Sequence, residues 1–382
     1  MSIASSLPGA STPHDKQIHV MLADDSAVIR GGLKRTLSSA AHINIVKSVS
    51  DGQQAVEAAG RFKPHVIILD IEMPVMDGLT ALPQILQKSP QSKVVMFSSL
   101  TEKGATVTMQ AMQKGAVECL VKPSSAQDVG EGSPFQKNLI SLIENLVPPH
   151  LRRAPEDTDA LASAPAIASS PIAPAPMAAT SVQLKNDANS FKGKPSIVAI
   201  GSSTGGPQAL FNVLKHCKGF DVPIVITQHM PATFTKILAE HIQQQTGIPA
   251  QEGAQGMPVK AGQIYVAPGG FHMTFARDGA GIKIVLEDGP LVNFCKPAVD
   301  PMFESIVGIY GQRVLGVILT GMGADGLGGG KALTAVNGRL IAQDEATSVV
   351  WGMPAAVAKA GLCSAILPLS DIGPWIYKAV MQ

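Results

Sequence analysis

The sequence predicts two α/β units in series, each a doubly wound sheet, joined by a linker. Three observations carry that prediction. Short apolar segments alternate with segments of helical period through residues 17–148 and again through 193–382, the pattern of strands that cross over through helices into a parallel sheet. Between them, residues 149–192 lose that period and turn Ala/Pro/Ser-rich, as in APAIASSPIAPAPMAATS, a semi-extended linker composition. At 382 residues the chain is also long for one domain and suits two.

Composition narrows the function classes. Hydrophobic residues make up 45% and charged residues 15%, enough apolar material for full cores. A net charge of +1 gives no broad basic field of the kind that nucleic acid or an anionic membrane selects. The four cysteines, Cys119, Cys217, Cys295 and Cys363, form no C-x-x-C pair; that argues against a disulfide framework or zinc site and suits a reducing cytosol. The first sixteen residues, MSIASSLPGASTPHDK, lack both the basic and the apolar region of a leader and are expected to be disordered. No apolar run approaches the ~18 residues that a membrane span needs. A cytoplasmic location without membrane insertion is the expectation.

In the first unit, Ile18 to Ser26 reads as a buried strand ending in Asp24 and Asp25. Asp25 or Ser26 can cap a helix over about 27–40, with Val28, Ile29, Leu33 and Leu37 on one face. INIVKSVS and GQQAVEAAGRF follow as strand and helix. HVIILD is a third strand stopping at Asp70, and SKVVMFSS a fourth ending at Ser98 and Ser99. ECLV precedes Lys122-Pro123 as a fifth, and a helix over about Phe135 to Val147 closes the unit. Ligands of such a sheet gather at the carboxyl ends of its strands, which brings Asp24, Asp25 and Asp70 together with Ser98 and Lys122. Three carboxylates repel one another unless a cation intervenes, and oxygen-only ligands suit a hard ion such as Mg²⁺ with waters completing its octahedron. Each acid alone also reads as an ordinary helix cap or loop acid. The joint pattern is what points to a site.

Residues 17 to about 148 resemble a response-regulator receiver domain, down to Asp70-Ile71-Glu72-Met73-Pro74-Val75-Met76-Asp77-Gly78 after the third strand. The resemblance implies that Asp70 accepts a phosphoryl group from a sensor histidine kinase. It implies that Asp24, Asp25, Asp70 and the Glu72 backbone carbonyl hold Mg²⁺, that Ser98 bonds a phosphoryl oxygen, and that Lys122 pairs with its charge. The chemistry is positioning plus charge neutralisation. Many receivers carry an aromatic switch residue where this chain has Cys119, so the chain departs from that pattern.

The second unit opens on SIVAIGSSTGGP (196–207), an apolar strand running into a Gly/Ser turn with a helical segment over Gln208 to His216 beyond it. Gly201-Ser202-Ser203-Thr204-Gly205 fits G-x-S-x-G, in which a serine sits on a sharp strand-to-helix turn. Its hydroxyl needs a base, and the base an orienting carboxylate. VPIVITQHM is a strand ending in His229, and VLGVILTGMGADG a strand entering a glycine turn that contains Asp325. QIYVAPGG, GRLIAQDE and CSAIL are further strands, and HMTFA and IKIVL flank Asp278-Gly279 as an antiparallel hairpin, expected to make the second sheet mixed. If the principal strands are parallel, Ser203, His229 and Asp325 share one edge. His229 would then take the Ser203 proton, Asp325 would fix the imidazole, and backbone N–H groups, Met322 among them, would cradle an oxyanion.

Other readings remain open on these residues. His229 also suits a structural histidine, and Ser203 and Asp325 suit helix caps. The order Ser, His, Asp differs from that of α/β-hydrolases. Gly321-Met322-Gly323-Ala324-Asp325-Gly326 matches G-x-G-x-x-G with Asp344 about 20 residues on, but Asp325 would repel a pyrophosphate and the match falls late in the unit. A P-loop fails for want of G-K-[ST].

The second half resembles the catalytic domain of the chemotaxis protein-glutamate methylesterases. The matching motifs are Gly201-Ser202-Ser203-Thr204-Gly205-Gly206, Gln228-His229-Met230-Pro231 and Thr320-Gly321-Met322-Gly323-Ala324-Asp325-Gly326. The resemblance implies Ser203 as nucleophile, His229 as base and Asp325 as orienting acid, with no cofactor at the esterase site. It implies hydrolysis of glutamate γ-methyl esters on chemoreceptors and deamidation of receptor glutamines, under control of the receiver. Family members often have alanine where this chain has Ser202, which leaves two adjacent hydroxyls to tell apart. A non-enzymatic signalling adaptor is the alternative from another class.

Overall fold

The computed structural model describes residues 17–99, 101–123, 132–152, 184 and 191–382. The segment 1–16 and nearly all of the linker, 153–183 and 185–190, lie outside them. The described edge of the linker includes a short turn at Pro149–Leu151 whose Leu151 is buried in the first core.

The first unit alternates as read: β1 (Ile18–Ala23), α1 (Ala27–Ser38), β2 (Ile43–Val49), α2 (Gly52–Phe62), β3 (Val66–Asp70), α3 (Gly78–Lys88), β4 (Lys93–Ser98), α4 (Glu102–Gln113), β5 (Glu118–Val121) and α5 (Pro134–Leu146). The five strands pair in parallel in the order β2-β1-β3-β4-β5. Near-continuous apolar runs such as VIILD are buried on both faces, as a sheet covered by helices on both sides requires. All five helices start on a polar side chain that accepts a backbone N–H: Ser26, Asp51, Asp77, Thr101 and Ser133. One detail of α1 differs from the expectation. Leu33 and Leu37 are buried but Val28 is 80% exposed, because five residues before Leu33 a helix has turned about 500°, off the core-facing stripe.

The second unit runs β6 (Ile197–Ser202), α6 (Gly206–Leu214), β7 (Ile224–Gln228), α7 (Ala232–Thr246), β8 (Ala250–Glu252), β9 (Ile264–Val266), β10 (His272–Asp278), β11 (Gly281–Glu287), α8 (Val299–Tyr310), β12 (Val314–Ile318), α9 (Leu327–Ala335), β13 (Arg339–Gln343), α10 (Met353–Lys359), β14 (Ala365–Leu367) and α11 (Leu369–Met381). Seven strands form one all-parallel sheet in the order β14-β13-β12-β6-β7-β9-β8. Among the described residues the hairpin β10–β11 makes no pairing with the main sheet: β10 pairs with β11, and β11 also bridges Pro258 through Lys283, so the main sheet is not mixed. Its inner residues Met273, Phe275 and Ile284 pack instead against α8 and the flank of the sheet. The three-residue β8 has too short an alternation to be read from sequence. Chain order reverses at β6: β7 lies on one side of it and β12 on the other. That junction is the topological switch point where α/β sheets place their ligands.

The units touch. Helix α4 packs on α6 and α7. The Gln208 side-chain amide donates to the carbonyls of Met112 and Ala116 at 2.6 and 2.7 Å, and the Gly205 N–H donates to the Val117 carbonyl at 3.0 Å. From α5, Ser141 Oγ and Asn145 Nδ2 approach Met322 Sδ at 3.6 and 3.3 Å, and Val350 is buried within the first unit's core cluster.

Candidate active site and acid pocket

At the carboxyl edge of the first sheet, Asp24 and Asp70 are buried and Asp25 is exposed, with an oxygen of each within 4.8 Å of the others. Lys122 Nζ lies 2.7 Å from Asp70 Oδ2 and 3.0 Å from Asp24 Oδ2. Beyond that lysine, neither buried oxygen has a hydrogen-bond partner among the described residues. Burial pushes the Asp70 carboxyl up to about 6; the Lys122 hydrogen bond opposes the rise and the Asp24 charge adds to it. Ser98 is buried beside them with its Oγ donating to the Ser99 carbonyl at 3.2 Å. Glu72 meets the pocket through its N–H, 3.4 Å from Asp70 Oδ1. Buried carboxylate oxygens whose one partner is the Lys122 ammonium, in a cluster without histidine or cysteine, fit a hard divalent cation. Cys119, at the position of the aromatic switch, sits against Thr108 Oγ1 at 3.6 Å with burial pushing its thiol up to about 12.

Around the switch point of the second sheet, β6, β7 and β12 are neighbours, and Ser203, His229 and Asp325 follow their ends. The two adjacent serines are distinguished by their surroundings. Ser202 Oγ is fully buried and donates to Gln228 Oε1 at 2.7 Å, while Gln228 Nε2 donates to the Ser203 carbonyl at 2.9 Å. Ser203 is half-buried, and its Oγ makes no hydrogen bond to a described residue. The turn beyond it depends on glycine. Gly205 has φ 76°, and a Cβ on Gly206 would stand 1.9 Å from Gln228 Oε1. The Met322 backbone N–H is likewise without a partner among the described residues.

His229 Nε2 lies 2.8 Å from Asp325 Oδ2. Asp325 is buried, and the remaining donors on it are dense. Its Oδ2 also accepts from the Val299 N–H at 2.6 Å, and its Oδ1 from Asp300 N–H, Gly326 N–H and Asn293 Nδ2 at 3.2, 3.1 and 2.9 Å. Asp325 therefore caps α8 rather than α9, which follows it in sequence. Asp300 makes the reciprocal cap, accepting from Gly326 and Gly329 N–H at 3.0 and 2.7 Å. Burial would raise the Asp325 carboxyl, but the His229 hydrogen bond and charge and these donors hold it below the usual carboxylate range. For His229 burial favours the neutral ring, yet Asp325 and the Cys295 sulfur hold the proton and push the imidazole up to about 9. The other ring nitrogen, Nδ1, lies 3.3 Å from Cys295 Sγ. The first unit reaches this edge too: Glu118, at the head of β5, has its carboxyl pushed up by burial, against a Thr204 hydrogen bond and the field of His229.

The structure thus joins His229 to Asp325 and sets Ser203 at the same edge without a bond to either. Asn293, Cys295, Asp300 and Gln228 are parts of this network that motif reading passed over. Gln228 lies inside Gln228-His229-Met230-Pro231 and could have been found there. The others sit on a loop and a helix start with no motif of their own.

A receiver-like sheet carrying an acid pocket, coupled to a parallel sheet carrying serine, histidine and aspartate at its switch point, defines the class: a hydrolase fold under a signalling domain. The comparisons with known proteins agree. The CheB methylesterase family model matches residues 198–376 and the response regulator receiver domain model matches residues 20–131. The chain is 51% identical over 375 residues to "Protein-glutamate methylesterase/protein-glutamine glutaminase 1" of Paramagnetospirillum magneticum, covering 96% of this chain and 97% of the relative. It is 49% identical over 363 residues to the protein-glutamate methylesterase/protein-glutamine glutaminase of Azospirillum brasilense, covering 94% and 92%. The crystal structure of the Thermotoga maritima CheB methylesterase catalytic domain is 38% identical with TM-score 0.47, covering 49% of this chain and 99% of that one. This chain belongs to the CheB methylesterase family, with the receiver domain at its N-terminal side.

Proposed function

We propose that this chain is a phosphorylation-controlled protein-glutamate methylesterase that hydrolyses glutamate γ-methyl esters on chemoreceptors and deamidates receptor glutamines. The observation that carries the reading is the His229–Asp325 pair beside a half-buried Ser203 whose neighbour Ser202 is already bonded to Gln228. With Nε2 held by Asp325, Nδ1 is the nitrogen left to act as base. It takes the Ser203 proton as Oγ attacks the ester carbonyl, and the Met322 N–H donates to the developing oxyanion. The imidazolium then protonates the leaving methanol, or ammonia from a glutamine. A water activated by the same nitrogen hydrolyses the acyl-enzyme to the free γ-carboxylate. Ser203 has to swing to Nδ1 for this; catalytic hydrogen bonds often close only with substrate in place.

In the receiver, Asp70 is the phosphoryl acceptor, with Asp24, Asp25 and the Glu72 carbonyl completing a Mg²⁺ site. A bound Mg²⁺ supplies charge neutralisation for the incoming phosphoryl oxygens. Lys122, now paired with both buried aspartates, and Ser98 would take up those oxygens, and a sensor histidine kinase is the donor. The contacts of α4 with α6 and α7, of Val117 and Glu118 with Gly205 and Thr204, and of α5 with Met322 support a closed form, relieved when the pocket changes charge. A cytoplasmic setting follows from receptor and kinase as partners; among the described residues no helix is long and apolar enough to cross a membrane.

The deciding measurement is methanol release from methylated receptor membranes by wild type and Ser203→Ala, each with and without a small phosphodonor and Mg²⁺. Release by wild type, raised by phosphodonor and lost in the variant, is expected. No release by wild type under any condition would turn the reading to a non-enzymatic adaptor.

A further inference from the structure

The nitrogen that this reading needs as base already has a thiol against it. Cys295 Sγ lies 3.3 Å from His229 Nδ1, with Asp325 bound to the far side of the ring. Sulfur, imidazole and carboxylate stand in the order of a nucleophile–base–acid set. The thiol is held there by a built turn. Val292 N–H donates to the Cys295 carbonyl at 3.1 Å and Cys295 N–H donates to the Val292 carbonyl at 2.9 Å. Asn293 and Phe294 take the two positive-φ positions, at 51° and 63°. Asn293 Nδ2 ties the turn to Asp325 Oδ1 and Asp300 Oδ2, each at 2.9 Å. The same turn therefore grips the acid through Asn293 and the base through Cys295.

Cys295 also differs from the other three cysteines. Cys217 and Cys363 are buried, with burial pushing each thiol up to about 12, and Cys119 is pushed equally high. Cys295 is partly buried, as is Cys119, but Cys119 faces the Thr108 hydroxyl where Cys295 faces an imidazole. The charged groups facing the pair are Asp325 behind the ring and Glu118 from the receiver; neighbouring Lys296 is turned away to Asp288 and the Gly289 carbonyl.

We propose that Cys295 is a nucleophilic modification site, activated by His229, at which a hydroperoxide or another soft electrophile switches the esterase off. The thiol proton passes from Sγ to Nδ1, leaving a thiolate beside an imidazolium that Asp325 stabilises. With a hydroperoxide, the thiolate attacks one oxygen as the O–O bond breaks. Sulfur is oxidised to the sulfenic acid, the peroxide is reduced, and the departing oxygen takes the imidazolium proton. With iodoacetamide the S–C bond forms and iodide leaves. Either adduct fills the space at Nδ1 that Ser203 Oγ must enter. The modification stands on the Cys295–His229 geometry alone; its effect on turnover rests on the proposed esterase reading.

The test is timed iodoacetamide labelling of the full chain at pH 6.5, read by peptide mass spectrometry, with methanol release followed on the same samples. Cys295 is expected to label about tenfold faster than free glutathione, with Cys119, Cys217 and Cys363 unlabelled. His229→Gln should bring it back to the free-thiol rate, and hydrogen peroxide should give a dimedone-trappable sulfenic acid at Cys295. Methanol release should fall in proportion to labelling in wild type, while Cys295→Ser under the same reagent keeps its own untreated rate. Labelling no faster than glutathione, or undiminished in a folded His229→Gln, would overturn the site. If that variant does not fold, the wild-type pH profile decides: a rate that climbs tenfold per pH unit up to about 8.5, as for an ordinary thiol, is equally fatal. Full labelling with methanol release unchanged would refute the switch. Wild type that labels fast but never releases methanol would instead fault the esterase reading and leave the site standing.

Discussion

The two units place chemistry at the same position, the carboxyl edge of a parallel sheet, yet satisfy it in opposite ways. In the receiver, two buried carboxylates share one lysine and keep oxygens with no other partner. In the second unit the carboxylate at the corresponding edge, Asp325, accepts from one imidazole, three backbone N–H groups and one amide. The helix starts divide the same way. All five receiver helices are capped by their own neighbouring side chains, whereas among the described residues none of α6 to α11 has a side-chain cap at its N-cap position. The first edge is under-satisfied, so a cation or phosphoryl group changes its energy strongly. At the second it is Asp325 that is satisfied before substrate arrives, which would keep the proposed acid and base from reorganising during reaction.

Ser203→Ala should have the largest effect, lowering methanol release by roughly 10³-fold or more. Ser202→Ala, which loses only the bond to Gln228, should cost about 1 kcal/mol of stability and a few-fold in rate. An equal loss in both variants would mean that the assignment of the two hydroxyls is wrong.

Asp325→Asn should follow, at about 10³- to 10⁴-fold in kcat, because it removes the carboxylate that fixes the tautomer. The pH profile sharpens the point. His229 must be neutral to accept a proton, and its partners raise it to about 9. Activity of the unphosphorylated chain should therefore be low near pH 6.5 and rise toward 9. Cys295→Ser removes one of the raising partners and should move that limb to lower pH; a limb unmoved near 6.5 in wild type would sink the account.

Asp70→Asn tests the under-satisfied edge. Stimulation by phosphodonor should vanish while basal methanol release persists, as measured with and without donor. Gln208→Ala tests the contact between the units. Losing two hydrogen bonds to receiver carbonyls should shift the closed form and raise basal release several-fold, up to about tenfold. A basal rate unchanged by Gln208→Ala would argue that these contacts do not restrain the site.

Asp51→Ala should do least. It removes the cap of α2 and the bond from Gln54 N–H at 2.8 Å, costing ~1 kcal/mol of receiver stability, seen as a Tm lowered by a few degrees at unaltered basal esterase rate.

What the sequence determined by itself is everything written in short range. Strand and helix order followed from apolar period and from the cap offered at Asp25 or Ser26. The strand-end acids, Ser203, His229 and Asp325 were legible because strand-to-turn transitions carry their own glycines and polar residues. A period smooth over one turn did mislead at Val28, where only the orientation of α1 on the sheet decides what is buried.

What only the tertiary structure decided lies between segments far apart in the chain. Cys295 meets His229 across 66 positions and Asn293 meets Asp325 across 32, and nothing in the spacing of either pair announces it. Which of Ser202 and Ser203 is free depends on Gln228, 26 positions beyond Ser202. The hairpin leaves the main sheet because α8 and the sheet flank offer Met273, Phe275 and Ile284 a better-covered face than an edge strand would. The physical reason is common to all of these. Backbone propensity and capping act within a few residues, whereas burial and charge pairing act through space, and space is set only once the two sheets have closed their cores.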